Sequence, residues 1–312
     1  MTAPEPRTVV DPTTGRPILM APKRQKRPMH TGSQASSKRC PFCSGHEVDT
    51  PQEVDASRTE GTHADQPGWT VRAFPNLYPA TEYHDVIAEG SDHHEHPCDL
   101  DAATWCDAIT VWQRRIVAFE AADDIACAFL FKNVGARAGA SIAHNHSQVI
   151  GLPQLPPRLE LELAQQHRHG HCLTCASLAS AEAEQRLVVQ TEQFSVLAPA
   201  QPKLPFETWL LPNECQSDFL TTDPKALGIA IHQWLQALNR GLDRPPCNLW
   251  LHRVPADILA SGAVHGQTSF HWHFELQPRT GQLAGLELGG DMYINSVPAD
   301  VTASRLRNGQ PN

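Results

Sequence analysis

The chain has no run approaching the roughly 20 apolar residues that cross a bilayer, and its N-terminus carries no hydrophobic leader. The absence of both predicts a cytoplasmic protein with no membrane partner. Basic residues are also scarce: 25 Lys and Arg stand against 34 Asp and Glu, for a net charge of -9. Such a balance argues against a nucleic-acid backbone as partner, because binders of that kind present a basic face. A small anionic substrate held by a few local arginines stays compatible with it. No low-complexity tract appears beyond a polar N-terminal arm.

Cysteine and histidine, by contrast, are plentiful, at nine and seventeen residues in 312. In a reducing compartment disulfides are disfavoured, so closely spaced cysteines become candidate metal ligands. Four of the nine form two C-x-x-C pairs, Cys40/Cys43 and Cys172/Cys175.

The order of parts is written twice. The first half runs from Cys40-Pro41-Phe42-Cys43 through strands near 71–74 and 85–88 to a helix capped by Asp99 or Asp101. On one face of that helix lie Trp105, Ile109, Trp112, Ile116 and Phe119. A buried strand, 125–131, then leads through a glycine-bearing loop to His144-Asn145-His146. The second half repeats this: Cys172-Leu173-Thr174-Cys175, strands near 194–198 and 207–211, and a helix opened by Asp223 and Pro224. That helix carries Leu227, Ile231, Trp234 and Leu238 and is expected to close at Gly241. A strand near 248–252 leads on to His271-Trp272-His273. The fold class expected is α+β, antiparallel sheets with packed helices, divided into halves 1–157 and 158–312 at the proline-rich segment 152–158. Residues 1–39 read as an extended basic arm and 44–68 as a polar loop.

A tetrahedral zinc site needs four nitrogen or sulfur ligands, so each C-x-x-C pair requires two partners. In the first half His93 and His144 are best placed, with His94 and His96 chemically equal to His93. Laying the halves together puts Cys215 at the position of His93 and His271 at that of His144, completing the set Cys172, Cys175, Cys215 and His271. The chemical centre is the stretch from Lys132 to Gln148. A neutral histidine with one ring nitrogen pinned by a carbonyl is a good nucleophile toward phosphorus. His146 is the candidate, with the Asn145 carbonyl expected to pin it. Asn133, Ser141 and Gln148 offer neutral groups to the phosphoryl oxygens, where charge spreads in the transition state.

These residues resemble the histidine-triad superfamily and, within it, the galactose-1-phosphate uridylyltransferase family. The resemblance spans nearly the whole chain, from Asp11-Pro12-Thr13-Thr14-Gly15 through Cys40-Pro41-Phe42-Cys43, 71–80 and 133–148 to His271-Trp272-His273-Phe274-Glu275 and Tyr293-Ile294-Asn295. It implies two tandem histidine-triad-like halves, the first carrying the catalytic motif and one zinc set, the second another metal set. It implies that His146 carries the nucleotidyl group and Gln148 contacts the transferred phosphoryl group. Asn133 and Ser141 fall on phosphate contacts, and Arg24, Arg27, Asn76 and Leu77 on the nucleotide pocket. Cys40, Cys43, His93 and His144 take the family's zinc positions, and the second set resembles a metal site of some relatives.

Three departures concern the substrate. Asn145 stands where the family has proline, Leu77 where uridylyltransferases have aspartate, and Ala284-Gly285-Leu286-Glu287 where relatives have Gly-Gly-Phe-Glu. The function expected is double displacement between a nucleotide sugar and a sugar 1-phosphate, with UDP-glucose:hexose-1-phosphate uridylyl transfer first. The Leu77 variant points instead to adenylyl transfer or phosphorolysis of an ADP-linked substrate. A zinc-stabilised, non-catalytic scaffold is the reading from another class, and a zinc hydrolase a weaker one, since both ligand sets look closed. A homodimer is the candidate assembly.

Overall fold

The structure is a computed structural model that describes residues 5–26, 40–262 and 269–309. Within the N-terminal segment read as an extended arm, β1 (Arg7–Val10) and β2 (Pro17–Met20) form a hairpin. Asp11 nucleates its turn by accepting from the Thr13 amide at 2.8 Å and the Thr14 hydroxyl at 2.7 Å. The stretch expected as a polar loop holds β3 (Asp55–Arg58), a short edge strand too polar to be read as one.

Next come β4 (Trp69–Pro75), β5 (His84–Glu89), α1 (Ala102–Glu120), β6 (Cys127–Val134) and β7 (His146–Leu152). The proline-rich connection enters α2 (Pro157–His169) and α3 (Leu173–Ala181), two helices without a counterpart in the first half's order of parts. There follow β8 (Leu187–Gln190), β9 (Phe194–Leu197), β10 (Thr208–Pro212), α4 (Pro224–Leu242), β11 (Cys247–His252), α5 (Ala256–Ser261) and β12 (His273–Pro278). The chain finishes with α6 (Gly285–Gly290) and α7 (Ala299–Asn308). Among the described residues no helix is long and apolar enough to cross a membrane.

Ten strands form one antiparallel sheet in the order β3-β4-β5-β7-β6-β11-β12-β10-β9-β8. Read inward from either edge the permutation is the same. The two sets of strands are joined edge to edge, with Asn133 opposite Asn248 and Phe131 opposite Trp250. The sheet is therefore continuous, whereas the sequence suggested separate ones. Pairing of β6 with β11 removes two exposed edges, which would otherwise recruit foreign strands.

Alternation along each strand sorts the side chains onto two faces. Leu130, Val134, Val149, Leu249, Leu251, Phe274 and Leu276 pack under α1 and α4. From α1 come Trp105, Ile109, Trp112, Ile116 and Phe119, and from α4 Leu227, Ile231, Trp234 and Leu238, all buried as their spacing predicts. Each such side chain contributes roughly 1.5–3 kcal/mol by leaving water. Asp101 caps α1 through the Thr104 amide, and Asp223 caps α4. The opposite face carries His146, Gln148, Asn133 and Asn248 near the middle of the sheet, while α2 seals its far end through Leu159 and Leu163 against Cys127, Val254 and Phe270.

Gly241 does not close α4. It lies inside the helix, where an added Cβ would meet the Leu306 side chain of α7 at 2.6 Å, and Asp243 in the left-handed region is the cap. Gly228 brings α4 against α1: a Cβ there would lie 2.9 Å from both the Ala102 carbonyl oxygen and the Cys106 nitrogen. Because those atoms belong to backbone, Gly228→Ala should destabilise the fold by about 1–3 kcal/mol and lower the calorimetric melting temperature. An unchanged melting temperature would show that the two helices can separate without loss.

Candidate functional site

The site begins with a knuckle. The Cys43 amide donates to the Cys40 carbonyl at 3.3 Å, turning both thiols toward the end of β7. The His144 Nδ1 lies 3.7 Å from Cys40 Sγ and 3.6 Å from Cys43 Sγ, and His93 Nδ1 lies 3.6 Å from Cys43 Sγ. All four ligand atoms fall within 4.8 Å of one another. A tetrahedral zinc with usual bond lengths puts nitrogen and sulfur about 3.5 Å apart, so this set fits one ion. His144 Nε2 donates to the Gly90 carbonyl at 2.9 Å, which aims the lone pair of Nδ1 at the thiols.

His93, and neither neighbour, joins this group. His96 is buried with Nε2 donating to the Pro245 carbonyl and Nδ1 accepting from the Cys98 amide, so both its nitrogens are engaged. His94 contributes its carbonyl, which takes the Asn145 amide at 2.7 Å. Burial, reinforced by the Cys40 thiol, pushes the Cys43 thiol up to about 12, and burial pushes His144 down to about 3. The protein alone disfavours charge on these groups; a divalent cation would reverse that for the thiols.

His146 follows directly. Its Nδ1 donates to the His144 carbonyl at 2.7 Å, leaving Nε2 as the ring atom with the lone pair. The Asn145 carbonyl, expected in that role, accepts from the Glu89 amide at 3.0 Å and extends the β5–β7 ladder. A peptide rotates its carbonyls to alternate sides along a strand, so the carbonyl two residues back is the one within reach. The Asn145 side-chain amide is buried with neither polar atom partnered. Phe42 of the knuckle packs edge-on against the His146 ring, centroids 5.4 Å apart. From the helix side Trp112 donates to the Ser147 hydroxyl at 2.7 Å.

Gln148 lies two residues on, on the same face. Its Oε1 is 3.0 Å from His84 Nε2 and accepts from Asn76 Nδ2 at 3.4 Å, which turns its own NH2 outward as a donor. Asn133, on the adjacent strand, is oriented the same way: Asn248 Nδ2 donates to its Oδ1 at 2.7 Å. His84 and Asn248 were not singled out from sequence, and Trp112 was read only as part of the apolar face of α1; each acts on a motif residue from a distant part of the chain. Arg24 donates to the Tyr78 carbonyl at 2.8 Å, which puts it beside Asn76 and the exposed Leu77. Ser141 lies in the loop before His146, and Arg27 lies outside the described residues.

The model of the family described as galactose-1-phosphate uridyl transferase, N-terminal domain, matches residues 83–156. ADP-glucose phosphorylase of Arabidopsis thaliana is 30% identical over 93% of this chain and 90% of its own. The chain belongs to the galactose-1-phosphate uridylyltransferase family of the histidine-triad superfamily. Galactose-1-phosphate uridylyltransferase of Thermotoga maritima is 25% identical over 95% of this chain and 96% of its own. The crystal structure of the Arabidopsis ADP-glucose phosphorylase with bound ADP-glucose superposes with a TM-score of 0.76 at 28% identity, covering 98% of this chain and 100% of that one. The protein is thus an enzyme of the nucleotidyltransferase class.

In this uridylyltransferase-family enzyme the second set of strands repeats the backbone device with other side chains. Cys172, Cys175, Cys215 and His271 also converge within 4.8 Å, His271 Nε2 donates to the Pro212 carbonyl at 3.0 Å, and His273 Nδ1 donates to the His271 carbonyl at 3.2 Å. Burial opposes charge on Cys172, but the hydrogen bonds it makes with His271 and with the Cys175 amide and thiol together outweigh it and lower the thiol to about 6. At the place of Asn133 stands His252, and at that of Gln148 stands Glu275. His252 and His273 stack with centroids 4.7 Å apart, and Glu162 of α2 lies 3.0 Å from His252 Nδ1. Lys203 at 2.9 Å and Arg158 at 3.1 Å flank Glu275. Burial would raise Glu162, yet His252 beside it wins and holds it at about 2. Here the ion pairs are internal, and the neutral donors a phosphoryl group needs are absent from these positions.

Proposed function

We propose that the protein carries a nucleoside monophosphate on His146 Nε2, taken from a nucleoside diphosphate sugar and passed to a phosphate-bearing acceptor, with ADP-glucose as the donor. The hydrogen bond from His146 Nδ1 to the His144 carbonyl, 2.7 Å, carries this reading. It puts the lone pair on the atom that would attack and supports positive charge on the ring as the bond forms. The Nε2 electron pair forms a bond to the α-phosphorus while the bond to the bridging oxygen breaks, and sugar 1-phosphate leaves with that pair. An acceptor phosphate oxygen then attacks the same phosphorus, the P–N bond breaks, and the ring recovers its lone pair. With inorganic phosphate as acceptor the product is a nucleoside diphosphate. The outward NH2 groups of Gln148 and Asn133, with Ser141, stabilise the charge on the phosphoryl oxygens. Arg24, Asn76 and Leu77 line the nucleotide side.

The preference for adenine rests on Leu77, which stands where uridylyltransferases carry aspartate, and on the higher identity to the Arabidopsis ADP-glucose phosphorylase. UDP-glucose:hexose-1-phosphate transfer is the second reading, favoured by the T. maritima relative. Residues 1–157 and 158–312 are then two histidine-triad-like copies of which the first transfers, and the location is cytoplasmic. Zinc is the metal both Cys-His sets suit. Bound by Cys40, Cys43, His93 and His144, and by Cys172, Cys175, Cys215 and His271, it would supply structural cross-links, since every ligand position is filled by the protein.

Incubation with α-32P-labelled ADP-glucose should label His146 at least about tenfold faster than labelled UDP-glucose, equivalent to about 1.4 kcal/mol of discrimination. His146→Ala should take no label. Faster labelling from UDP-glucose would reverse the base preference. A folded wild-type protein that takes no label would overturn transfer and favour the non-catalytic scaffold. Chelation should lower the melting temperature and reduce activity only in step with unfolding; full stability after complete metal removal would contradict the structural role.

A further inference from the structure

Side chains alternate along a strand, so the segment that presents His146 and Gln148 on the open face of the sheet turns Ser147 toward Trp112 of α1. On that core side two charges are buried. Lys132 of β6 and Glu89 of β5 form an ion pair with side chains 2% and 0% exposed. In the sheet β7 lies between β5 and β6, with Ala88 opposite His146 and Lys132 opposite Ser147. The pair therefore crosses β7 on the face away from His146. The ammonium sits over the Trp105 ring of α1, 5.6 Å from its centroid.

Stability does not account for this pair. Burial pulls the Lys132 ammonium below its ordinary pKa, and the attraction of Glu89 offsets only part of that. Around the two charges Glu89 Oε1, the Trp105 indole nitrogen and both polar atoms of the Asn145 side chain are buried with no hydrogen-bond partner among the described residues. Desolvation cancels most of what such a pair gains, and apolar side chains of the same volume would hold the core as well.

What the pair does fix is the end of β5. The main chain of Glu89 and Gly90 grips the motif at two points: the Glu89 amide donates to the Asn145 carbonyl at 3.0 Å, and the Gly90 carbonyl accepts from His144 Nε2 at 2.9 Å. Between these points lies the His144 carbonyl, the group that takes the proton of His146 Nδ1. The carboxylate tied to β6 by Lys132 thus belongs to the residue whose amide sets the Asn145 peptide.

We propose that Lys132 and Glu89 are positioning residues for the transfer step, a clasp across β7 on the core side that fixes the peptide orienting His146. Both face the core, so neither meets the substrate. The inference rests on the reading of His146 as the residue that carries the nucleotidyl group.

The test replaces the pair as a unit in the full chain, Lys132→Met with Glu89→Leu. The melting temperature should not fall, because a buried pair exchanged for apolar side chains of similar volume leaves stability about the same or higher. Labelling by α-32P-labelled ADP-glucose, or by UDP-glucose where that is faster, should slow roughly tenfold to a hundredfold at saturating donor, the upper figure being the cost of about 1 Å of misplacement. The half-saturating concentration should not change. Nitrogen-15 NMR should show His146 as a mixture of tautomers. Arg253→Met with Glu120→Leu, which removes the buried ion pair between the end of β11 and α1, should behave as the wild type does. Should the apolar pair not fold, Lys132→Gln with Glu89→Gln is read in the same way. Labelling at the wild-type rate, a single His146 tautomer in the variant, or an equal slowing in the Arg253 and Glu120 variant would overturn the proposal. A wild type that takes no label would sink transfer alone; the His146 tautomer, mixed or single, then decides the clasp.

Discussion

The hydrogen bond between His146 Nδ1 and the carbonyl of His144 joins two tasks in three residues. The His144 ring is aimed the other way, toward the Cys40 and Cys43 thiols, by its own bond to the Gly90 carbonyl. The backbone between the two rings is therefore clamped from both sides. The Asn145 amide and carbonyl complete the clamp through His94 and Glu89. A metal in the Cys-His set would fix the peptide whose oxygen selects the tautomer of His146. Phe42, from the knuckle itself, closes the space over the His146 ring. A structural cluster can in this way govern chemistry without touching substrate.

The same clamp in the second set of strands shows what it does and does not confer. His271 and His273 repeat it with similar distances. Around His273, however, stand His252, Glu162 and Glu275 in place of amides, compensated by Lys203 and Arg158. A dianionic phosphoryl oxygen entering beside buried carboxylates would meet repulsion at low dielectric. One backbone device thus sits among neutral amides in one copy and in an internal ion network in the other. The difference lies in two side-chain positions diagonal to each other on neighbouring strands.

Much of this was legible in the chain. The apolar stripes of α1 and α4, the caps Asp101 and Asp223, and the repeated order of strands follow from periodicity and hydrogen-bonding chemistry that act locally. The second Cys-His set could be assembled because the repeat supplied Cys215 and His271, whereas in the first set His94 and His96 stood level with His93 until the fold grouped His93 with the thiols. What escaped was non-local or too short to carry a signal. β3 is four polar residues whose strand character comes from its neighbour β4. Gly241 looks like a helix stop until α7, from the far end of the chain, packs on it. His84, Asn248 and Glu162 are single polar residues whose roles exist only once strands and helices distant in sequence meet. The choice between the carbonyls of His144 and Asn145 was a matter of peptide orientation, which no residue type encodes.

The tautomer of His146 is set by the place of one proton, and nitrogen-15 NMR of histidine-labelled protein reads it directly. At neutral pH His146 should show a protonated Nδ1 and an unprotonated Nε2. The opposite tautomer would contradict the account, because the ring would then face the substrate with a donor and have no lone pair to give to phosphorus.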